Sequence, residues 1–130
     1  MKLAIGTANF YCNYGTTKNY LKSKDAVEKV LLFLKRKKIF IIDTALNYDG
    51  NEKFFHNHDL KSFKIITKLK LSKKKNIVKY YLNTLNNNLK KNNLKNYESV
   101  LIHNTKSLKQ FPKETIKLLK QIKKKKLLKK

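Results

Sequence analysis

Three side chains that can hold or transfer a proton each follow a short apolar run of the sequence. They are Asp43, Lys68 and His103, and the runs before them are rich in β-branched and other apolar residues, which is typical of buried strands. Tyr48 lies five residues after Asp43, in the loop that this strand enters. Because the carboxyl ends of parallel strands meet at one rim, where ligands bind, we expect the four side chains to lie close together.

These four residue types suit acid–base chemistry. A tyrosine hydroxyl has an ordinary pKa of ~10. A lysine ammonium beside Tyr48 would stabilise the phenolate, so we expect Lys68 to lower the pKa of Tyr48 and make its hydroxyl a usable acid or base near neutral pH. Asp43 would hold Lys68 in place, and His103 would position a carbonyl oxygen by hydrogen bonding.

The elements that must position these residues alternate between strand and helix four times. Strands are predicted at residues 3–5, 39–42, 63–67 and 99–102. Since no two of them are joined by a turn of hairpin length, they must be parallel, with right-handed crossovers. The pattern predicts either an open doubly wound sheet or a segment of a (β/α) barrel.

Helical periodicity predicts the apolar faces that cover this sheet. The predicted faces are Val27, Val30, Leu31 and Leu34 in a helix that Ser23 or Asp25 caps; Val78, Leu82, Leu85 and Leu89 in a helix after Ser72; and Ile116, Leu119 and Ile122 in a helix that Pro112 opens. A short helix over 52–56 has weaker support. Residues 8–20 are predicted to form a loop, and the lysine-rich tail after Ile122 a solvated helix end.

Four motifs in this order resemble the aldo-keto reductases, which are NAD(P)H-dependent (β/α)8 barrels. The matching stretches are Ile5-Gly6-Thr7, Ile42-Asp43-Thr44-Ala45 with Tyr48 and then Glu52, Ile66-Thr67-Lys68, and Leu101-Ile102-His103-Asn104. The match covers essentially the whole chain. It implies an α/β fold of four βα units that form the first half of a (β/α)8 TIM barrel.

The resemblance also implies the roles of particular residues. Asp43, Tyr48, Lys68 and His103 would be the catalytic tetrad, with NADP or NAD as cofactor and a small aldehyde or ketone as substrate. Hydride would pass to the carbonyl carbon while Tyr48 gives the oxygen its proton. Gly6, Thr7 and Asp43 would lie near the nicotinamide. The chain departs from the family where Asp49 separates Tyr48 from Gly50, because a glycine usually follows the tyrosine directly.

The length of 130 residues is about half of what a full barrel needs. We therefore expect residues 1–130 to be a partial domain, truncated before the fifth strand and inactive alone, because the family holds the cofactor phosphates with loops after its last two strands. Open sheet edges would favour self-association. The alternative hypothesis is a non-catalytic basic half-barrel that self-associates or binds polyanions.

Composition argues against several other classes of function. The net charge is +24, but among the 32 basic residues only Arg36 is the arginine favoured for phosphate and guanine recognition, so weak, salt-sensitive binding to polyanions is expected and no specific nucleic-acid site. No apolar run approaches the ~18 residues of a membrane span, and no signal peptide is evident, which predicts a cytoplasmic protein without membrane contact. His56 and His58 lack a third ligand at suitable spacing, so no metal site is predicted.

Overall fold

Four parallel strands form the centre of the structure, in the order β1-β2-β3-β4. The computed structural model describes residues 3–15 and 20–129. Its elements are β1 (Ala4–Gly6), α1 (Lys24–Arg36), β2 (Ile41–Asp43), α2 (Asn51–Asn57), β3 (Lys64–Leu69), α3 (Ile77–Lys91), β4 (Ser99–Ile102), α4 (Thr105–Gln110) and α5 (Pro112–Lys124). The consecutive strand order differs from a doubly wound sheet, where the order reverses, and confirms the predicted α/β half-barrel.

The two faces of the sheet differ in burial. One face packs beneath the helices and contains the buried side chains Ile42, Ile65, Thr67, Leu69 and Val100. We call the opposite side the open face; its exposed or half-buried residues are Ala4, Gly6, Ile41, Asp43, Lys64, Ile66, Lys68, Ser99 and Leu101. Because side chains alternate along a strand, both Asp43 and Lys68 belong to this open face.

Helix α1 forms where the sequence predicts it. The side chain of Ser23 accepts a hydrogen bond from the backbone N–H of Ala26 and so caps the helix. The buried residues are Val27, Leu31 and Leu34, whose spacing places them on one face. This helix therefore packs its apolar face onto the sheet as predicted, with Val30 half-buried beside it.

The buried faces of the later helices are rotated from the predicted ones. In α3 the buried residues are Ile77, Tyr81, Leu85 and Leu89, while Val78 and Leu82 lie half-buried at the edge of the core. In α5 they are Thr115, Leu118 and Ile122, and Ile116 is 54% exposed. Apolar residues occur on both sides of α5, and Thr115 can be buried because its hydroxyl donates to the carbonyl oxygen of Phe111 at 2.7 Å.

Two features at the end of the chain differ from the prediction. Helix α4 was not predicted; the side chain of Asn104 caps it by accepting from the N–H of Ser107 at 2.9 Å. Residues 123–126 form the exposed end of α5 and the turn after it, as predicted, but the residues that follow are not a solvated helix end. Leu128 instead forms a parallel bridge with Tyr97. The N–H of Tyr97 donates to the carbonyl oxygen of Leu127 at 2.9 Å, and the N–H of Lys129 donates to the carbonyl oxygen of Tyr97 at 2.8 Å. The tail thus pairs with the chain just before β4 through a single bridge.

The bounds of the remaining predicted strands and helices agree with the structure to within a few residues. Strand β2 begins at Ile41 rather than at residue 39, and α2 is one residue longer at each end than the predicted 52–56. Within the predicted loop 8–20, residues 16–19 lie outside the described residues, as does Lys130 of the tail. None of the helices that the structure describes is long and apolar enough to cross a membrane.

Candidate active site

An ion pair joins β2 to β3 at the carboxyl end of the sheet. Asp43 is the last residue of β2, and its register partner is Ile66, so Lys68 lies one step further along the open face. The Nζ atom of Lys68 donates to Oδ2 of Asp43 at 2.5 Å, and the two side chains are 21% and 35% exposed. The pair is thus held at the strand ends while remaining accessible to solvent.

Tyr48 and His103 lie against this pair. The Tyr48 ring centroid is 6.0 Å from Nζ of Lys68 and 5.8 Å from the His103 ring centroid, with the two rings nearly perpendicular at 87°. The Tyr14 ring, from the loop after β1, contacts Tyr48 at 5.2 Å. The four residues expected to converge are therefore brought together, and we call Asp43, Tyr48, Lys68 and His103 the carboxyl rim.

The pKa of Tyr48 is raised above its ordinary value of 10.0. Burial is the main cause, and it outweighs the charge of Lys68, which acts in the lowering direction; Tyr14 and Asp43 add to the rise. Lys68 therefore acts on the pKa of Tyr48 in the expected direction, but the net lowering that we expected is not found. The phenol of Tyr48 is protonated at neutral pH, as a tyrosine of ordinary pKa is.

Lys68 and His103 are shifted in opposite directions. Burial acts to lower the pKa of Lys68, but the hydrogen bond and charge of Asp43, helped by Tyr48, outweigh it and raise the pKa. Burial lowers the pKa of His103, and the charges of Lys68 and Lys70 lower it further, against a smaller opposite effect of Asp43. At neutral pH the rim therefore contains a charged lysine beside an uncharged imidazole.

Asn47 contacts the carboxyl rim, and the sequence motifs did not identify it. Nδ1 of His103 donates to Oδ1 of Asn47 at 2.9 Å. In a neutral imidazole this leaves Nε2 with its lone pair, as a hydrogen-bond acceptor. The only hint of Asn47 in the sequence is its place directly before Tyr48, because its contact with His103 spans 56 residues.

A buried chain of polar groups lies beneath the rim. The hydroxyl of Thr7 donates to that of Thr44 at 2.7 Å, and the Thr44 hydroxyl donates to Oδ1 of Asn51 at 3.2 Å. All three residues are buried, and the N–H of Thr7 donates to the carbonyl oxygen of Asp43 at 3.0 Å. The Thr7 side chain is thus part of the framework that connects β1, β2 and α2.

Gly6 and Gly50 have opposite surroundings. A Cβ atom added at Gly6 would meet nothing within 4 Å, so the open face is unobstructed there. A Cβ at Gly50 would lie 1.9 Å from the carbonyl oxygen of Phe10 and 3.0 Å from Cβ of Tyr11. Glycine is required at position 50 because the loop after β1 approaches the start of α2 so closely.

The two histidines outside the rim have structural partners. His56 donates from Nδ1 to the carbonyl oxygen of Glu52 at 3.3 Å. The buried His58 donates from Nδ1 to Glu28 at 2.6 Å, and its Nε2 lies 2.6 Å from the hydroxyl of Tyr11. Within residues 3–15 and 20–129, no group of three or more His, Cys, Asp or Glu side chains is placed to hold a metal ion.

Comparisons with known proteins connect this architecture to one solved fold. No family model matches the sequence, and no curated protein matches it. The chain is similar to the crystal structure of a Pseudomonas aeruginosa protein assigned to the aldo-keto reductases, with a TM-score of 0.72 and 18% identity. The match covers 96% of this chain and 52% of the other, so the chain spans about half the length of this neighbour. At this level of identity, the likeness shows that the chain has the fold of about half of a reductase-like α/β barrel.

Proposed function

We propose that the carboxyl rim reduces the carbonyl group of a small aldehyde or ketone to an alcohol, with NADPH or NADH as the reductant. The observation that carries this proposal is the bond between Lys68 and Asp43 at the carboxyl end of the sheet, with Tyr48 and His103 packed beside it. The fold of the reductase-like neighbour supports the same reading. In barrel enzymes the active site lies at this end of the parallel strands.

Tyr48 is the proton donor in this proposal. The cofactor, when bound, supplies the hydride that adds to the carbonyl carbon. Tyr48 gives its hydroxyl proton to the carbonyl oxygen, so that one hydride and one proton convert the carbonyl to an alcohol. Its raised pKa ensures that this proton is present at neutral pH, and the Lys68 ammonium stabilises the phenolate that remains. Asp43 acts as a positioning residue that holds Lys68 against Tyr48.

His103 would orient the substrate by donating a hydrogen bond to the carbonyl oxygen. A neutral imidazole can donate from Nε2 only if Nδ1 is the accepting nitrogen. This requires the Asn47 amide to present its NH₂ group to Nδ1, which a rotation that exchanges its oxygen and nitrogen achieves. In this proposal Asn47 therefore sets which nitrogen of His103 faces the substrate.

The residues proposed to meet the nicotinamide end of the cofactor fit a planar ring to different degrees. Gly6 leaves the open face unobstructed, and Asp43 lies beside it as its register partner. Thr7 contributes indirectly, because its hydroxyl is used in the bond to Thr44. The neighbour is about twice as long as this chain, so we propose the grip on the rest of the cofactor and the activity itself for a whole barrel.

The direct test measures nicotinamide oxidation with a panel of aldehydes and ketones, for this chain alone and for a version extended to a full barrel. We expect Tyr48→Phe to abolish the activity, because the ring remains and the transferable proton is lost. Tyr80→Phe is the matched control, since Tyr80 lies on α3, 46% exposed and outside the rim. If the extended protein is active and Tyr48→Phe leaves its rate unchanged, the assigned chemistry is wrong.

A second candidate function is non-catalytic association. It is favoured by the net charge of +24 and by the open face, where Leu101 is 46% exposed. Sedimentation would detect self-association, and a nucleic-acid titration at rising salt would detect binding to polyanions. A stable monomer that binds no nucleic acid at low salt would exclude this candidate.

A further inference from the structure

A cavity lies between the loop after β3 and helix α4, which follow the strand ends that carry Lys68 and His103. It has a volume of about 420 Å³, in the range of small-molecule sites. We call it the rim cavity; the hydrogen-bonding side chains around it are Lys70, Ser72, Lys73, Asn104, Lys106, Ser107 and Gln110. Within the part of the chain that the structure describes, no Asp or Glu lines it, and its three lysines take part in no ion pair.

Hydrogen bonds hold the backbone beneath these lysines in place. The Tyr81 hydroxyl donates to the carbonyl oxygen of Lys70 at 2.8 Å and accepts from the N–H of Ser72 at 3.0 Å. The buried Ser107 hydroxyl accepts from the N–H of Leu71 at 3.1 Å. The loop after β3 is therefore attached to both α3 and α4, so the lysine side chains extend from an ordered backbone.

The rim cavity is next to the residues that would carry out the reaction. Lys70 follows Lys68 by two residues and continues the open-face side of β3. Its charge reaches His103, where it contributes to the lowered pKa of the imidazole. Asn104 lies in the cavity wall and directly follows His103 in the chain. A molecule that occupies the cavity can thus extend to the carboxyl rim.

We propose that the rim cavity binds the phosphate group of a phosphorylated carbonyl substrate, so that Lys70, Lys73 and Lys106 select the substrate that Tyr48 and Lys68 reduce. This inference rests on the proposed function. Three ammonium groups without a carboxylate leave an uncompensated positive charge that a phosphate dianion neutralises. Phosphate is favoured over carboxylate because a phosphate dianion brings twice the negative charge to the three ammonium groups.

The first test locates a phosphate ion by amide NMR shifts of the full chain. We expect inorganic phosphate to produce saturable shifts at residues 70–73 and 104–107. The triple variant Lys70→Gln, Lys73→Gln, Lys106→Gln should bind roughly tenfold more weakly. The control Lys61→Gln, Lys64→Gln, Lys95→Gln removes the same charge at a different cavity and should keep the wild-type affinity.

Several results would overturn the phosphate site. They are wild-type shifts spread over lysines throughout the chain, an equal loss of affinity in the control variant, and binding of acetate as tight as that of phosphate. The wild-type map decides the first of these even if a triple variant fails to fold.

The second test separates this inference from the proposed function. It compares the KM of glycolaldehyde phosphate with that of glycolaldehyde in the version extended to a full barrel, as the wild type and as the Lys70, Lys73, Lys106 variant. We expect the phosphorylated substrate to have a KM roughly tenfold lower in the wild type, and this advantage to disappear in the variant. Equal KM values with measurable turnover would overturn the inference alone. Site-limited phosphate binding by an extended protein that reduces no carbonyl would overturn the proposed function and leave the phosphate site standing.

Discussion

The two ends of the sheet contain the same residue types in different settings. At the carboxyl end, Lys68 is half-buried and bonded to Asp43. At the amino end, Lys61, Lys64 and Lys95 are exposed around a cavity of about 650 Å³ and form no ion pair among the described residues. The presence of lysines therefore does not distinguish the carboxyl end of the sheet from the amino end. The two ends differ in the partners of their lysines, since Lys68 meets an aspartate and a tyrosine from the end of β2 and a histidine from the end of β4.

The largest expected effect comes from exchanging one lysine at each end of β3. Lys68→Met should lower reductase activity about 100- to 10,000-fold, because it removes the charge that stabilises the Tyr48 phenolate. Lys64→Met changes the same residue type on the same face, four positions earlier, and should leave the rate unchanged. Steady-state kinetics of the two variants measure this. Equal losses would mean that the two ends do not differ in function.

The two glycines give the next largest effect, on stability. Gly50→Ala should lower the free energy of unfolding by about 2–3 kcal/mol, because its Cβ would collide with the carbonyl oxygen of Phe10 and force the loop after β1 away from α2. Gly6→Ala has open space and should stay within about 0.5 kcal/mol of the wild type. Urea denaturation of both variants measures the difference. A neutral Gly50→Ala would show that the loop does not approach α2 as described.

Asn47 provides a finer test of the rim. In Asn47→Asp the side chain can only accept from Nδ1 of His103, so Nε2 can donate only when the imidazole is protonated. Activity of this variant should be about tenfold lower at neutral pH and should recover as the pH falls through the pKa of His103. The control Asn87→Asp makes the same charge change on the exposed surface of α3. A pH profile parallel to that of the wild type would exclude the orienting role of Asn47.

The smallest effect concerns Tyr97, a buried polar group at the amino end. Its hydroxyl donates to Asn88 at 2.8 Å, and burial raises its pKa strongly. Tyr97→Phe should cost about 1 kcal/mol of unfolding free energy at pH 7 and leave the activity of the rim intact. A raised pKa stabilises the fold below the unfolded value of ~10, and this contribution is lost as the pH rises further. The stability gap should therefore narrow above pH ~10.

Thermal unfolding of the Tyr97→Phe variant at several pH values measures this gap. Tyr80→Phe, at an exposed position, is the control for the number of tyrosines. A constant gap across the alkaline range would contradict the assignment of this pKa shift to Tyr97.

The alternation of strands and helices could be predicted from the sequence alone. So could the positions of Asp43, Lys68 and His103 at the carboxyl ends of strands. Local patterns are sufficient here, because a run of β-branched residues and a capped apolar stripe each describe one element without reference to any other. The same reasoning failed for α5, where apolar residues on two sides left the buried face ambiguous and Thr115 took a core position. It also missed α4, whose six residues carry little periodicity.

The interactions between the rim residues could be seen only in the tertiary structure. The pKa of Tyr48 depends on how far burial outweighs the charge of Lys68, and burial is a property of packing that no spacing encodes. The bond from His103 to Asn47, the need for glycine at position 50 and the bridge from Leu128 to Tyr97 join residues distant in the chain. Such contacts follow from the geometry of the parallel sheet, which brings the ends of separate strands to one place.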